Sequence, residues 1–116
     1  MMPPNRGDVV LVLFPDSNLV TAKRRPALVI QRDDLQSGLS QTIVAMLTSN
    51  MSRAGHPSRL SVLQSSPEGQ QMGLRTDSVV MTDNVATVRE IEIDRVIGHC
   101  EDMQPVDTAL RHTLGL

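Results

Sequence analysis

The chain has 116 residues, 21% of them charged, and a formal net charge of -2. That length suits one domain around one hydrophobic core, and the composition excludes a disordered chain and a broad cationic coat for nucleic acid. Phe14 is the only aromatic residue, which argues against an RNA reader that stacks bases on Phe, Tyr or Trp.

Any bound nucleic acid must therefore be held through phosphates, backbone groups and polar side chains. A local basic cleft is compatible with the near-neutral total, because salt screens each charge beyond about 8–10 Å. Cys100 is the only cysteine. An intrachain disulfide and a cysteine-rich zinc site are thus excluded, and a reducing compartment is expected. The segment Met1-Met2-Pro3-Pro4-Asn5-Arg6 lacks the apolar run of a signal peptide. No stretch reaches the roughly 18 apolar residues of a membrane span. The expected location is the cytosol.

In chain order, Asp8-Val9-Val10-Leu11-Val12-Leu13-Phe14 is apolar and rich in β-branched residues, which predicts a buried strand. Pro15-Asp16-Ser17-Asn18 ends it. A polar loop should close with Lys23-Arg24-Arg25-Pro26, and Ala27-Leu28-Val29-Ile30-Gln31 predicts a second strand. Pro26 lacks an N–H and is expected at that strand's start. Arg25, preceding it, is biased toward an extended backbone.

The polar run from Arg32 to Gln41 predicts a loop, and Thr42-Ile43-Val44-Ala45-Met46-Leu47 a third strand ending at Thr48-Ser49. A second loop covers Asn50 to Ser58. Leu60 and Val62 alternate with Ser61 as in a half-exposed strand. Gln64 to Met72, with Pro67 and Gly69, predicts a loop. Ser78-Val79-Val80-Met81 predicts a fifth strand, followed by Thr82-Asp83-Asn84. Val85 to Asp94 mixes signals and admits one short helical turn. Arg95-Val96-Ile97-Gly98 predicts a last short strand. At the C-terminus Met103, Val106, Leu110 and Leu114 recur every three or four residues, the stripe of an amphipathic helix. Glu101 and Asp102 are placed in its first turn, and Gly115 is its stop. Five or six short strands in one domain predict a mainly β fold, a closed or nearly closed small barrel with one helix packed on it.

The order of these segments resembles the MazF/PemK family of toxin components of bacterial toxin–antitoxin pairs. The residues that carry the resemblance are Arg6-Gly7-Asp8-Val9-Val10, Lys23-Arg24-Arg25-Pro26-Ala27, Ile43-Val44-Ala45-Met46-Leu47-Thr48-Ser49 and Ser78-Val79-Val80-Met81-Thr82-Asp83-Asn84. Thr87-Val88 and the tail from Val96 to Leu116 complete it. The resemblance covers the chain from Arg6 onward and implies an SH3-like barrel with a C-terminal helix, in a single domain spanning residues 1–116. It further implies a homodimer, selective cleavage of single-stranded RNA (often mRNA) without a metal or cofactor, and a cognate antitoxin whose acidic segment covers the RNA groove.

Metal-free RNA cleavage uses the adjacent 2′-hydroxyl as nucleophile and needs a proton acceptor, a proton donor and stabilisation of the phosphorane. Arg25 is the first candidate: a guanidinium forks onto phosphate oxygens and stays charged, and Arg25 matches the active-site Arg of the family's Arg-Pro step. Thr48 is the second, matching a phosphate-contacting Thr or Ser of the family; a Thr at a strand end can instead cap a turn. Asp83 is the third, as a base or as a group that orients Arg25, with an Asx turn beside Asn84 as the alternative.

RNA-binding roles are expected for Lys23 and Arg24 through phosphates, for Ser49 beside Thr48, and for Asn84 at a base edge, where the family often has Gln. His56 is included in that set, although surface or packing roles are favoured for all three histidines, since no spacing among His56, His99 and His112 suggests a pair. Cys100 is expected as a small buried residue, not a nucleophile. Two positions depart from the family: Met81 replaces a catalytic Arg of one branch, and Ala86 replaces a frequent Arg. The competing readings are a toxin on the same barrel that binds a protein target such as gyrase, and an inactive relative that only binds an antitoxin. Met46, Met51, Met72 and Met81 are candidates for a self-interface or for core packing. RNA sequence preference is expected to depend on the loops at Pro15–Ala22 and Asn50–Arg59.

Overall fold

The computed structural model describes residues 3–15 and 22–116. The apolar first segment forms β1 (Asp8–Pro15). It is followed by β2 (Ala22–Val29), β3 (Gln41–Thr48), β4 (Arg59–Val62), β5 (Ser78–Arg89) and β6 (Ile93–His99). Two helices, α1 (Pro67–Gln71) and α2 (Gln104–Leu114), complete the fold with 3-10 turns at Met51–Arg53 and Glu90–Glu92. The strands form one antiparallel sheet in the order β4-β5-β3-β2-β1-β6. The mainly β, SH3-like arrangement is therefore present, but among the described residues β4 and β6 are free edges and the sheet does not close.

Both faces of the sheet are covered, which is why β1 reads as an unbroken apolar run and not as an alternation. One face carries Val9, Leu28, Ala45, Leu47 and Val80, packed with Met72 and Leu74 and with Val106 of α2. The other carries Val10, Val12, Ala27, Val29, Val44 and Met46, closed over by Val88 and Ile93. The period-two geometry of strands sends neighbouring residues to these two cores. Each fully buried Val or Leu contributes about 1.5–3 kcal/mol.

Several expectations are corrected. Lys23-Arg24-Arg25-Pro26 is not loop but the first half of β2, because β1 runs far enough to pair with it: Val12 faces Arg25 and Phe14 faces Lys23. Backbone pairing outweighs the polarity of three side chains whose charged heads lie in solvent. Pro26 consequently lies inside β2. It is tolerated because β3 joins β2 only from Ala27 onward, so the Pro26 edge on that side has no ladder to interrupt.

The expected loop at Gln64–Met72 contains α1. Ser66 caps it, its Oγ accepting from the Gly69 N–H at 3.0 Å, and Pro67 takes the first helical position, where a missing N–H costs nothing. The fifth strand runs on to Arg89, and the expected helical turn is confined to Glu90–Glu92. Glu101 and Asp102 precede α2, and Asp102 Oδ1 accepts from the Gln104 N–H at 3.1 Å. Helix α2 begins at Gln104 because Pro105 fits only its first turn. Gly115 ends it with φ 71°. Val106 and Ala109 are buried as the stripe requires, but Leu114 is 61% exposed. Of the four methionines weighed as interface, Met72 and Met46 are core residues. The loop expected over Pro15–Ala22 lies, from 16 to 21, outside the described residues.

Candidate functional site

Strand register assembles the site. Ala27 pairs with Met46, and continuing that register by two residues would set Arg25 opposite Thr48. The strands have parted by then, and the gap between them opens a cleft of about 480 Å³. Arg25, Met46, Thr48, Met81, Asn84 and Ala86 line it, with Leu47, Asn50 and Arg53. Arg25, Ala27, Met46 and Thr48 share one sheet face by alternation. The two sequence departures, Met81 and Ala86, thus lie in the cleft itself and make part of its lining apolar.

The third wall comes from an irregularity in β5. Met81 pairs with Met46 and Val85 pairs with the adjacent Ala45. Thr82, Asp83 and Asn84 therefore have no partner on β3 and bulge from the strand, re-aiming side chains as bulges do. The bulge is tied down. The Thr82 N–H and hydroxyl both donate to the Ser58 carbonyl, at 3.0 and 2.6 Å. Thr82 Oγ1 also lies 2.7 Å from Thr113 Oγ1 near the end of α2.

Thr48 caps the turn that follows β3, the alternative weighed for it, and it also lines the cleft. Its Oγ1 accepts from the Asn50 N–H at 3.1 Å, capping the turn into Met51–Arg53. That bond uses a lone pair and leaves the hydroxyl hydrogen available to a phosphate oxygen. Arg25 is exposed and has no carboxylate partner among the described residues.

Asp83 is adjacent to the cleft but turned to Arg59, not to Arg25. Arg59 donates to both carboxylate oxygens, at 2.8 and 3.4 Å. This bond holds the Asp83 carboxyl below its ordinary range and the Arg59 guanidinium above its own. Asp83 is a poorer base for it. A depressed carboxyl stabilises the fold above its unfolded pKa, about 4, and loses that contribution as pH falls through the folded value. Asp83→Asn is therefore expected to destabilise the protein at pH 7, with the gap to wild type closing below about pH 4. Urea denaturation at pH 7 and pH 3 measures it; a gap that is constant between the two would refute the ion pair as its source.

The remaining candidates are dispersed. Lys23 shares the face of Arg25 one alternation away, outside the cleft lining. Arg24 points to the opposite face and pairs with Asp94 at 3.1 Å. Ser49 is exposed and does not line the cleft. His56 is not among the residues that line the cleft, and its Nδ1 lies 2.7 Å from Ser58 Oγ. The fold also brings His56 edge-on to His112, with ring centroids 6.0 Å apart, a pairing invisible in the sequence because a loop and a distant helix supply the partners. His99 bonds Asp8 instead, at 2.8 Å. Cys100 is buried and its thiol pKa is pushed up by that burial, so it is no nucleophile at neutral pH. Asn50, Arg53 and Arg59 were missed. Their signal was weak: Asn50 and Arg53 are polar residues of the expected loop and Arg59 opens β4, with no periodicity to say which of them face the cleft.

The fold is shared with a mycobacterial endoribonuclease solved in complex with its cognate antitoxin, with a TM-score of 0.73, 23% identity, and coverage of 98% of this chain and 97% of that one. Residues 5–114 match the family described as PemK-like, MazF-like toxin of type II toxin-antitoxin system. The chain belongs to that family. It is 30% identical to Endoribonuclease EndoA of Bacillus subtilis, covering 96% of this chain and 94% of the relative. It is 34% identical to Endoribonuclease MazF2 of Mycobacterium bovis, covering 90% of each.

Proposed function

We propose that this chain is the toxin of a type II toxin–antitoxin pair and cleaves single-stranded RNA, mRNA included, by metal-independent transesterification. The observation that carries the reading is the convergence of Arg25 and Thr48, from two strands, on one open cleft. In this reaction the 2′-oxygen forms a bond to phosphorus as the bond to the 5′-oxygen breaks. The 2′-hydroxyl loses its proton to a base, and the departing 5′-oxygen gains one. The products are a 2′,3′-cyclic phosphate and a 5′-hydroxyl end.

Arg25 stabilises the phosphorane by forking onto its non-bridging oxygens. Its reference pKa, above about 12, suits a clamp better than a proton donor. The Thr48 hydroxyl, fixed by the Asn50 N–H, donates a further bond to the same phosphate. Asn84, carried on the β5 bulge, meets a base edge with the accepting oxygen and the donating NH2 of its side-chain amide. The apolar Met46 and Met81 floor supports the bound nucleotide without stacking, since no aromatic side chain is among the described residues that line the cleft.

The relatives named as endoribonucleases support the activity, and the antitoxin complex of a structural relative supports a cognate antitoxin here. A homodimer and a cytosolic location belong to the same reading. No described helix is long and apolar enough to cross a membrane. The experiment is cleavage of a long single-stranded RNA by purified, antitoxin-free protein in EDTA, with end-group analysis. Cleavage leaving cyclic phosphates is expected. Intact RNA at micromolar protein would sink the enzyme reading and favour a pure antitoxin-binding module.

A further inference from the structure

We propose that Arg53 is the second phosphate-binding cation of the cleft, mounted there by the Arg59–Asp83 pair, and that it grips an RNA phosphate neighbouring the one at Arg25. This rests on the RNA-cleaving reading and adds to it a residue, a role and a support.

Three observations carry it. First, the nine residues that line the cleft include two arginines, Arg25 and Arg53, and no carboxylate. A chain with a net charge of -2 thus has a cleft whose charged lining residues, among those described, are both cations. Second, Arg53 pairs with no carboxylate among the described residues, whereas Arg6, Arg24, Arg59 and Arg89 each do. Its guanidinium is left with its full donor set.

Third, the backbone beneath that free head is held from several directions. The Arg53 N–H donates to the Asn50 carbonyl at 3.1 Å, and Asn50 Oδ1 accepts from the Ser52 N–H at 3.2 Å. Arg59 Nη1 donates to the Arg53 carbonyl at 3.1 Å while its other nitrogens hold Asp83. Arg59 thereby joins two walls of the cleft, the Met51–Arg53 turn and the β5 bulge that carries Asn84. It also engages the nearby Asp83 carboxylate, which would otherwise compete with RNA for the cleft's cations. Arg59 is a positioning residue in this arrangement, and Arg53 is the group that touches RNA.

Phosphate gripping by a point on the wall, away from the bond that breaks, should affect binding and not chemistry. The probe is a fluorescein-labelled 2′-O-methyl RNA oligonucleotide of mixed sequence, which lacks the nucleophile and stays intact. Its Kd is measured by anisotropy over a series of salt concentrations. Arg53→Ala is expected to raise Kd about tenfold at low salt and to flatten the log Kd against log salt slope by about 0.7, the value for one phosphate contact on a single strand. Arg53→Lys should keep the wild-type slope. With cleavable RNA, Arg53→Ala should raise KM and leave kcat near wild type. Since the Arg53 contacts seen here are made by its backbone, its thermal midpoint should not move.

An Arg53→Ala protein with wild-type Kd and slope overturns the proposal. So does an Arg53→Lys protein as weak as the alanine variant, because the role would then be one of shape and not charge. Failure of the wild-type protein to bind the probe at any salt is a different result: it removes the RNA reading on which the proposal stands.

Discussion

Replacing Arg25 by alanine is expected to slow RNA cleavage about 10²–10³-fold, the usual cost of removing one preorganised donor from a developing oxyanion. Among the described residues the cleft lining holds one other cation, Arg53, and it sits on the turn after β3, not on β2 or β3. Met81 and Ala86 supply no charge. On the proposed reading Arg25 therefore carries most of the phosphorane stabilisation by itself. Its exposed side chain has no ion pair to lose among the described residues, and alanine is compatible with an edge-facing strand position. The thermal midpoint should consequently move little. Arg25→Lys should recover only part of the rate, because an ammonium keeps the charge but loses the planar fork. Single-turnover kinetics on a defined RNA, paired with thermal unfolding, separates the two effects. Near wild-type turnover in a folded Arg25→Ala protein would show that the assignment is wrong.

The largest stability effect is expected at Leu28. It is fully buried on β2, between Val9 of β1 and Ala45 of β3. Leu28→Ala removes contacts from the core under α2 and leaves a cavity, a loss of about 2–5 kcal/mol. A domain of this size holds about 5–15 kcal/mol in total, so the variant forfeits a large share of it and its Tm should fall by at least about 8 °C. Urea titration should show a lower midpoint with an unchanged slope. Leu28→Met, which conserves volume, should cost less than about 1.5 kcal/mol. A loss below that figure for alanine would mean that α2 and the sheet collapse into the space. The site would register the damage indirectly, since β2 aligns Arg25 against Thr48 through this same stretch of sheet.

What was legible in the sequence follows from what backbone periodicity records. Strand cores announced themselves through Val9–Val12, Ala27–Val29 and Val44–Leu47, and the stripe of α2 through Met103, Val106 and Leu110. Arg25 and Thr48 each terminate or adjoin such a run, but it was the family resemblance that singled them out, and the fold brings both to one cleft. The first half of β2 was not, because pairing with β1 is a non-local property that Lys23-Arg24-Arg25 does not advertise. Helix α1 was hidden by Pro67 and Gly69, which read as loop residues until Ser66 is seen to cap them. The direction of Asp83 was hidden too. Its partner Arg59 lies on another strand, and nothing local distinguishes an Asp that serves Arg25 from one that serves Arg59.

The break in the pairing of β5 divides the cleft into two kinds of material. Arg25 and Thr48 are set by sheet register, where a slip of one residue would turn every side chain to the wrong core. Asn84 and Arg53 stand on an insertion and a turn, fastened by Thr82, Thr113 and Arg59. The placement of the first pair can hardly shift without disturbing both cores, whereas the segments that carry the second can be lengthened, exchanged or recharged with that register kept. Reaction chemistry and RNA preference are therefore separable traits in this architecture. Grafting the 50–59 and 82–84 segments of a relative with another cleavage sequence should transplant its preference while Arg25 and Thr48, the proposed catalytic pair, stay unchanged.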